Sequence, residues 1–110
     1  MVLDRERLAG YVGQDAAFEA EFLKLLLGTV ENCLASLATP SLQIYATLHA
    51  AKAGIVVAAG DELRKQIEQA CDLAMQLETT GWTVEAREAL SQLSASLSQL
   101  ASEIRAVLAT

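Results

Sequence analysis

The chain contains one histidine, His49, and the residues around it make it the first candidate for chemistry. In a helix, Tyr45 four positions earlier and Lys52 three positions later would both lie beside the imidazole. A neutral imidazole nitrogen is a good nucleophile near neutral pH and can accept a phosphoryl group covalently. The Lys52 ammonium would stabilise the charge on the transferred oxygens. These residues are therefore compatible with phosphoryl transfer at His49, with Lys52 as the stabilising cation.

Other readings of these side chains stay open. A lone histidine beside a lysine is common in helices, so a solvated or half-buried histidine without a chemical role fits the same spacing. Cys33 and Cys71 fall on apolar helix faces, where buried and unreactive thiols are the rule. One histidine cannot build a metal site that needs two or more, which removes the common zinc and di-iron centres of helical bundles. We expect no bound metal and no resident cofactor.

The segment that holds His49 has the periodicity of a helix with one buried face. Its most apolar residues recur at helical spacing, namely Ile44, Leu48, Ala51, Ile55 and Ala58. His49 lies one step, about 100°, away from that line, and we expect it at the edge of the buried face with access to solvent. Small neighbours such as Ala46 and Ala53 would let a partner bring a phosphorylated group up to the ring.

Helix-breaking and helix-capping residues divide the rest of the chain. Gly10 and Gly13 close a short opening segment, residues 3–9, and Asp15 is a plausible N-cap for a helix that reaches about residue 37. Thr39 followed by Pro40 predicts the start of the next helix, which should reach residue 58 or 59. A further helix begins at Gly60 or Asp61 and ends at the Thr79-Thr80-Gly81 run, and Thr83 caps the last helix.

These segments predict an all-α protein formed by a single domain over residues 1–110. Four helices of about 18 to 27 residues with short connections favour an antiparallel up-down four-helix bundle, with a short N-terminal helix across one end. Leucines and other apolar residues step by four and three along the last helix, which suits shallow-angle packing against neighbouring helices.

Composition and charge exclude several classes of partner. The 110 residues carry 14 acidic against 8 basic side chains, a net charge of -6, and no basic stripe of the kind that nucleic-acid and anionic-lipid binding require. The longest apolar run, residues 53–60, is far shorter than the ~20 residues of a membrane span, and no secretory signal opens the chain. We expect a cytoplasmic monomer that binds neither nucleic acid nor membrane.

The segment around His49 resembles a known signature. Residues 49–63 read H-A-A-K-A-G-I-V-V-A-A-G-D-E-L, which is similar to the H-x-L-K-G-S-A-x-x-L-G-A-x-x-L pattern of histidine-containing phosphotransfer (HPt) domains. Residues 8–15, followed by Phe18 and Phe22, resemble the opening helix of that family and the entry to its long second helix. The resemblance covers residues 8–77, and the last helix matches by pattern alone. Ala51 stands where the family has leucine, and Ala53 and Ala59 stand where it has glycine.

The resemblance implies a bacterial two-component signalling protein without kinase activity of its own. His49 would accept a phosphoryl group from an aspartate of a receiver domain, such as that of a hybrid sensor kinase, and pass it to the aspartate of a response regulator. Lys52 would stabilise the phosphoryl group, and magnesium would belong to the receiver. The receiver would dock on the surface around His49, formed by Ala46, Ala50, Ala53 and Val57. The competing hypothesis is a helical-bundle adaptor that binds receiver or other signalling domains without covalent chemistry.

Overall fold

The computed structural model describes the whole chain, Met1–Thr110, and its regular secondary structure is helical, as the sequence predicts. An isolated antiparallel bridge between Leu3 and Ala59 is the one β-type pairing. The six helices are α1 (Arg5–Val12), α2 (Ala16–Ala38), α3 (Ile44–Ala58), α4 (Asp61–Met75), α5 (Leu77–Thr80) and α6 (Val84–Leu108).

The four long helices each contact two of the others. α2 and α4 both pack against α3 and α6, whereas α1 lies against α2 and α3. A continuous core of 27 buried hydrophobic residues fills the space between them, in a molecule that measures 45 × 21 × 21 Å. No helix combines the length and the apolar character that crossing a membrane requires.

Two of the predicted helix starts are confirmed by their capping bonds. The Asp15 carboxylate accepts hydrogen bonds from the backbone N–H groups of Ala17 (3.0 Å) and Phe18 (3.1 Å) at the start of α2. The Thr83 hydroxyl accepts a 3.0 Å bond from the Ala86 N–H at the start of α6. Each cap satisfies N–H groups that the first turn of a helix leaves without a partner.

The predicted start of α3 at Thr39 and Pro40 is wrong. Thr39 is instead the C-terminal cap of α2, and α3 begins at Ile44, after a turn in which the Gln43 N–H donates to the Ser41 hydroxyl (3.2 Å). The connecting residues thus extend from Thr39 to Gln43, between two helices that pack against each other. As a result α3 has 15 residues, fewer than predicted.

The ends of two other helices also differ from the prediction. α4 stops at Met75 and also has 15 residues, because the chain bends at Gln76 and buries Leu77 in a separate single turn, α5. Gly81 ends that turn with a φ of 71°, a conformation that favours glycine. Gly10 does not end the first helix, which continues to Val12 and closes at Gly13.

The N-terminal residues bind to the turn that joins α3 and α4. The Asp4 N–H donates to the Ala58 carbonyl (2.8 Å), and the Gly60 N–H donates to the Val2 carbonyl (2.9 Å). These bonds attach the C-terminal end of α3 and the turn after it to the first residues of the chain.

Glu103 of α6 holds the same N-terminal residues from the other side. Its carboxylate, 8% exposed, accepts bonds from the backbone N–H groups of Val2 (3.1 Å) and Leu3 (3.0 Å) and from the Gln99 amide (2.9 Å). Burial raises the pKa of Glu103, but these three hydrogen bonds and the nearby positive charge of the N-terminal amino group together outweigh it, and the pKa lies below its ordinary value.

Candidate functional site

Helix α3 buries the apolar line that the sequence predicts and turns its opposite side outward. Ile44, Leu48, Ala51, Ile55 and Ala58 are all buried in the core. A helix with one fully buried line presents the residues about half a turn away to solvent. His49 and the residues predicted for docking lie on that outer side, whereas Lys52 is half-buried at its edge.

His49 is exposed, as predicted, and lies about a third of the way along α3. Its ring stacks on the half-buried Tyr45 ring, with 5.4 Å between the ring centroids and an interplanar angle of 26°. The Tyr45 hydroxyl is 3.4 Å from His49 Nδ1. The other ring nitrogen, Nε2, has no hydrogen-bond partner in the protein, so it is free to react with a molecule that approaches from solvent.

Lys52 is the cation that accompanies His49 on α3. Its side chain is half-buried and makes neither an ion pair nor a hydrogen bond, whereas five of the eight basic side chains are ion-paired: Arg5, Arg7, Lys24, Arg64 and Arg105. Its positive charge is felt at Cys71 of α4. Burial raises the pKa of the Cys71 thiol, and the Lys52 charge lowers it by a smaller amount. An ammonium without a carboxylate partner retains its capacity to bind an anion.

Five residues form the outward surface of α3, here called the α3 face: Ala46, His49, Ala50, Ala53 and Val57. The three alanines are exposed and Val57 is half-buried. The face carries no acidic side chain, although the chain as a whole has a net charge of -6. An exposed surface of small apolar side chains around a nucleophile can admit a second protein without a steric or electrostatic barrier.

Shallow grooves border the α3 face on both sides. On the α2 side, Ala46 and Ala50 line a groove together with Thr29 and Asn32. On the α4 side, a cleft is lined by Tyr45, Ala46, and residues of α4 and α5 that include Met75 and Glu78. The predicted docking residues are therefore brought together with His49 at the ridge between two grooves.

Gly54 does not belong to the α3 face. A Cβ atom at this position would lie 3.4 Å from Leu26 Cδ1, so Gly54 faces α2. The outward position next to Lys52 belongs to Ala53, which is exposed. A methyl group therefore stands at the position that a partner would approach.

The two cysteines are buried and free, as predicted from their positions on apolar faces. Burial, together with the neighbouring Cys71, raises the pKa of the Cys33 thiol from 9.0 to about 11. Burial likewise raises the pKa of Cys71. Both thiols are therefore protonated at neutral pH, the less reactive form. Metal-binding geometry is also absent, since no three His, Cys, Asp or Glu side chains come together as a possible metal site.

Sequence reasoning missed a groove on the opposite side of the molecule. It lies between the end of α2 and the first half of α6, where the Arg87 guanidinium sits 5.3 Å from the centre of the Trp82 ring. Its lining also includes Leu37, Pro40 and, from α6, Leu90, Ala95 and three serines. The residues come from distant parts of the chain, and the only sequence signal for the groove is the small-residue spacing along α6.

Comparison with known proteins adds no assignment to this geometry. No family model matches the chain, and neither a curated protein nor a solved structure matches it. The function must therefore be inferred from the chemistry of the residues themselves.

Proposed function

We propose that the protein is a phosphorelay intermediate that carries a phosphoryl group on Nε2 of His49. The observation that carries the proposal is the α3 face, where the only histidine of the chain is exposed among small uncharged side chains, with Lys52 free of any carboxylate one turn along the helix. A nucleophile, a free cation and an open approach are the parts that phosphoryl transfer between proteins requires.

We further infer that the fold is an antiparallel up-down bundle of α2, α3, α4 and α6 with α1 across one end, and that the chain is an HPt domain. Two observations support this inference. Each long helix contacts two others, and short connections join consecutive helices. His49 is exposed on α3, the second long helix, and the half-buried Lys52 follows three positions later, which is the spacing of histidine and lysine in the HPt signature.

The proposed reaction moves one phosphoryl group between an aspartate and His49. The Nε2 lone pair attacks the phosphorus of a receiver acyl phosphate, and the P–O bond to the aspartate breaks with its electron pair left on the carboxylate. Lys52 stabilises the negative charge on the phosphoryl oxygens during transfer. The reverse reaction, with the aspartate of a second receiver as nucleophile, delivers the group onward. Magnesium is bound by the receiver, and this chain contributes no kinase activity.

The partners are receiver domains, one of a hybrid sensor kinase and one of a response regulator, in the cytoplasm of a bacterium. Each would dock transiently on the α3 face, with the apolar side chains of Ala46, Ala50, Ala53 and Val57 at the centre and the polar groups of the bordering grooves at the rim. An uncharged surface does not select one receiver domain over another by electrostatic attraction. Such a surface suits a carrier that must bind two different receivers in turn.

The experiment that tests this function is transfer from a panel of phosphorylated receiver domains to the wild-type chain and to His49→Gln. We expect an acid-labile phosphoryl adduct, measured by intact mass, on the wild type only. His49 is exposed, so the variant should keep the fold. Binding of receivers without transfer would replace the proposal by the alternative, an adaptor that uses the uncharged α3 face for docking alone. Neither binding nor transfer would make His49 a residue without a chemical role.

A further inference from the structure

The pair formed by Tyr45 and His49 has a geometry that the proposed reaction does not by itself require. The rings are stacked one helical turn apart, and the Tyr45 hydroxyl lies 3.4 Å from Nδ1, the ring nitrogen that is not the nucleophile. Tyr45 is half-buried, and its ring lines the cleft between α3 and α4, so its orientation is constrained by packing. The stacking and this packing together hold the hydroxyl near one specific nitrogen.

A hydrogen bond at Nδ1 favours one of the two neutral forms of an imidazole, according to whether Nδ1 donates or accepts in that bond. One ring nitrogen of neutral histidine is a donor and the other an acceptor, and the hydrogen bond made by one of them fixes the role of the other. If Nδ1–H donates to an oxygen, Nε2 keeps its lone pair and can act as a nucleophile. If Nε2 carries the proton instead, it cannot attack phosphorus without first losing that proton.

We propose that Tyr45 is a positioning residue that holds His49 in the tautomer with the proton on Nδ1. The hydroxyl oxygen of Tyr45 accepts the Nδ1–H bond, and Nε2 presents its lone pair to solvent and to the incoming phosphoryl group. The contact is longer than an ideal bond and tightens when a partner covers the face and excludes water. This role rests on the proposed phosphoryl transfer, and it names the residue that prepares the nucleophile.

The direct test is the ¹⁵N spectrum of the imidazole at a pH where His49 is neutral, in the wild type and in Tyr45→Phe. The chain holds one histidine, so the two ring signals need no assignment among several residues. We expect the wild-type Nδ1 in the range of a protonated nitrogen and Nε2 in that of an unprotonated one. In Tyr45→Phe, which keeps the stacked ring and loses the hydroxyl, the two shifts should move toward each other. Identical spectra, or a wild type protonated on Nε2, would overturn the proposal.

Tyr11→Phe provides the matched control. Tyr11 is the other tyrosine of the chain, lies on α1 and packs its exposed ring against Phe22 at 5.5 Å between centroids. Loss of its hydroxyl should leave both imidazole signals unchanged. A shift of equal size in Tyr11→Phe would show that the effect does not come from the contact at Nδ1, and would also overturn the proposal.

A second readout separates this inference from the proposed function. Phosphoramidate, a small phosphoryl donor, is used to load His49 directly, so no receiver domain is needed. We expect Tyr45→Phe to load about threefold to tenfold more slowly than the wild type and Tyr11→Phe to load at the wild-type rate, as for the loss of one hydrogen bond. Equal rates in all three chains would count against Tyr45 alone. A wild type that does not load at all would count against the phosphoryl-carrier function, and the ¹⁵N spectra would still decide the tautomer.

Discussion

At the scale of single residues, the candidate site depends on two side chains that the fold leaves without strong partners. Nε2 of His49 bonds to nothing in the protein, and Lys52 is one of few basic side chains outside an ion pair. Without partners in the protein, both groups are solvated by water, which an incoming substrate can displace.

Lys52→Ala tests whether the free ammonium takes part in transfer. We expect the rate of phosphoryl transfer from a receiver to fall by about tenfold or more, because one charge that stabilises the transferred oxygens is lost, while receiver binding is retained. The matched control is Lys65→Ala, which removes an exposed lysine of α4 that also lacks an ion pair. Equal transfer rates in Lys52→Ala and the wild type would remove Lys52 from the mechanism.

The buried thiol of Cys33 predicts a loss of stability at alkaline pH. Its pKa is raised in the folded state from 9.0 to about 11, so the unfolded chain loses this proton first as the pH rises. The protonated Cys33 thiol therefore contributes fully to the free energy of unfolding below about pH 9. This contribution, at most about 2 to 3 kcal/mol, is lost as the pH rises to about 11. Denaturant unfolding across this range should show a steeper decline for the wild type than for Cys33→Ala. Parallel curves would refute this assignment.

At the scale of elements, local patterns predicted the helices well and their connections poorly. The caps at Asp15 and Thr83 and the buried line of α3 follow from interactions within a few residues, which a sequence displays directly. Thr39 and Pro40 carry a strong local start signal, but Thr39 caps the end of α2 and the connection to α3 extends to Gln43. The Leu3 N–H donates to the Glu103 carboxylate 100 positions away, and local sequence spacing cannot predict a contact between residues so far apart.

Glu103→Ala tests the attachment of the N-terminal residues. The variant leaves the N–H groups of Val2 and Leu3 without their acceptor, and we expect the free energy of unfolding to fall by about 1 to 3 kcal/mol. The control is Gln99→Ala, which removes one bond to the same carboxylate and leaves both N–H groups bonded. We expect Gln99→Ala to lower the free energy of unfolding by less than Glu103→Ala does.

The pH dependence of stability gives the same test a second arm. The pKa of Glu103 is lowered in the folded state, so its contribution is present above the pKa of an exposed glutamate and is lost as the pH falls through the folded-state value. Acid unfolding of the wild type should therefore be steeper than that of Glu103→Ala. A variant as stable as the wild type at pH 7 would show that these bonds do not hold the segment.

At the scale of the whole molecule, the α3 face differs from the average charge of the chain. The chain carries 14 acidic side chains, and none of the five residues of the α3 face is acidic. The sequence predicted this face because the apolar spacing of α3 identifies its buried side, and the opposite side of the helix must then face solvent. It did not predict the grooves beside it or the groove near Trp82, because those depend on how helices distant in sequence are placed against one another.

Ala53→Gln tests whether partners dock on the α3 face. A longer, uncharged side chain at this exposed position should reduce transfer from a receiver by about tenfold, equivalent to about 1.4 kcal/mol, by obstructing close contact. Loading by phosphoramidate should stay at the wild-type rate, since a small donor needs no docking. Ala95→Gln is the control, on an exposed position of α6, a helix that does not contact α3. Equal effects of the two substitutions on receiver transfer would place docking elsewhere.

The most direct test of the account is a chase experiment on the phosphorylated protein. The wild type, phosphorylated and then freed of donor, is mixed with magnesium and an unphosphorylated receiver, and the phosphoryl group on each protein is followed with time. We predict that the group leaves His49 and appears on the receiver aspartate, and that it stays on His49 when that aspartate is replaced by asparagine. A phosphoryl group that never forms on His49, or that leaves it at the same rate with either receiver, would contradict the account.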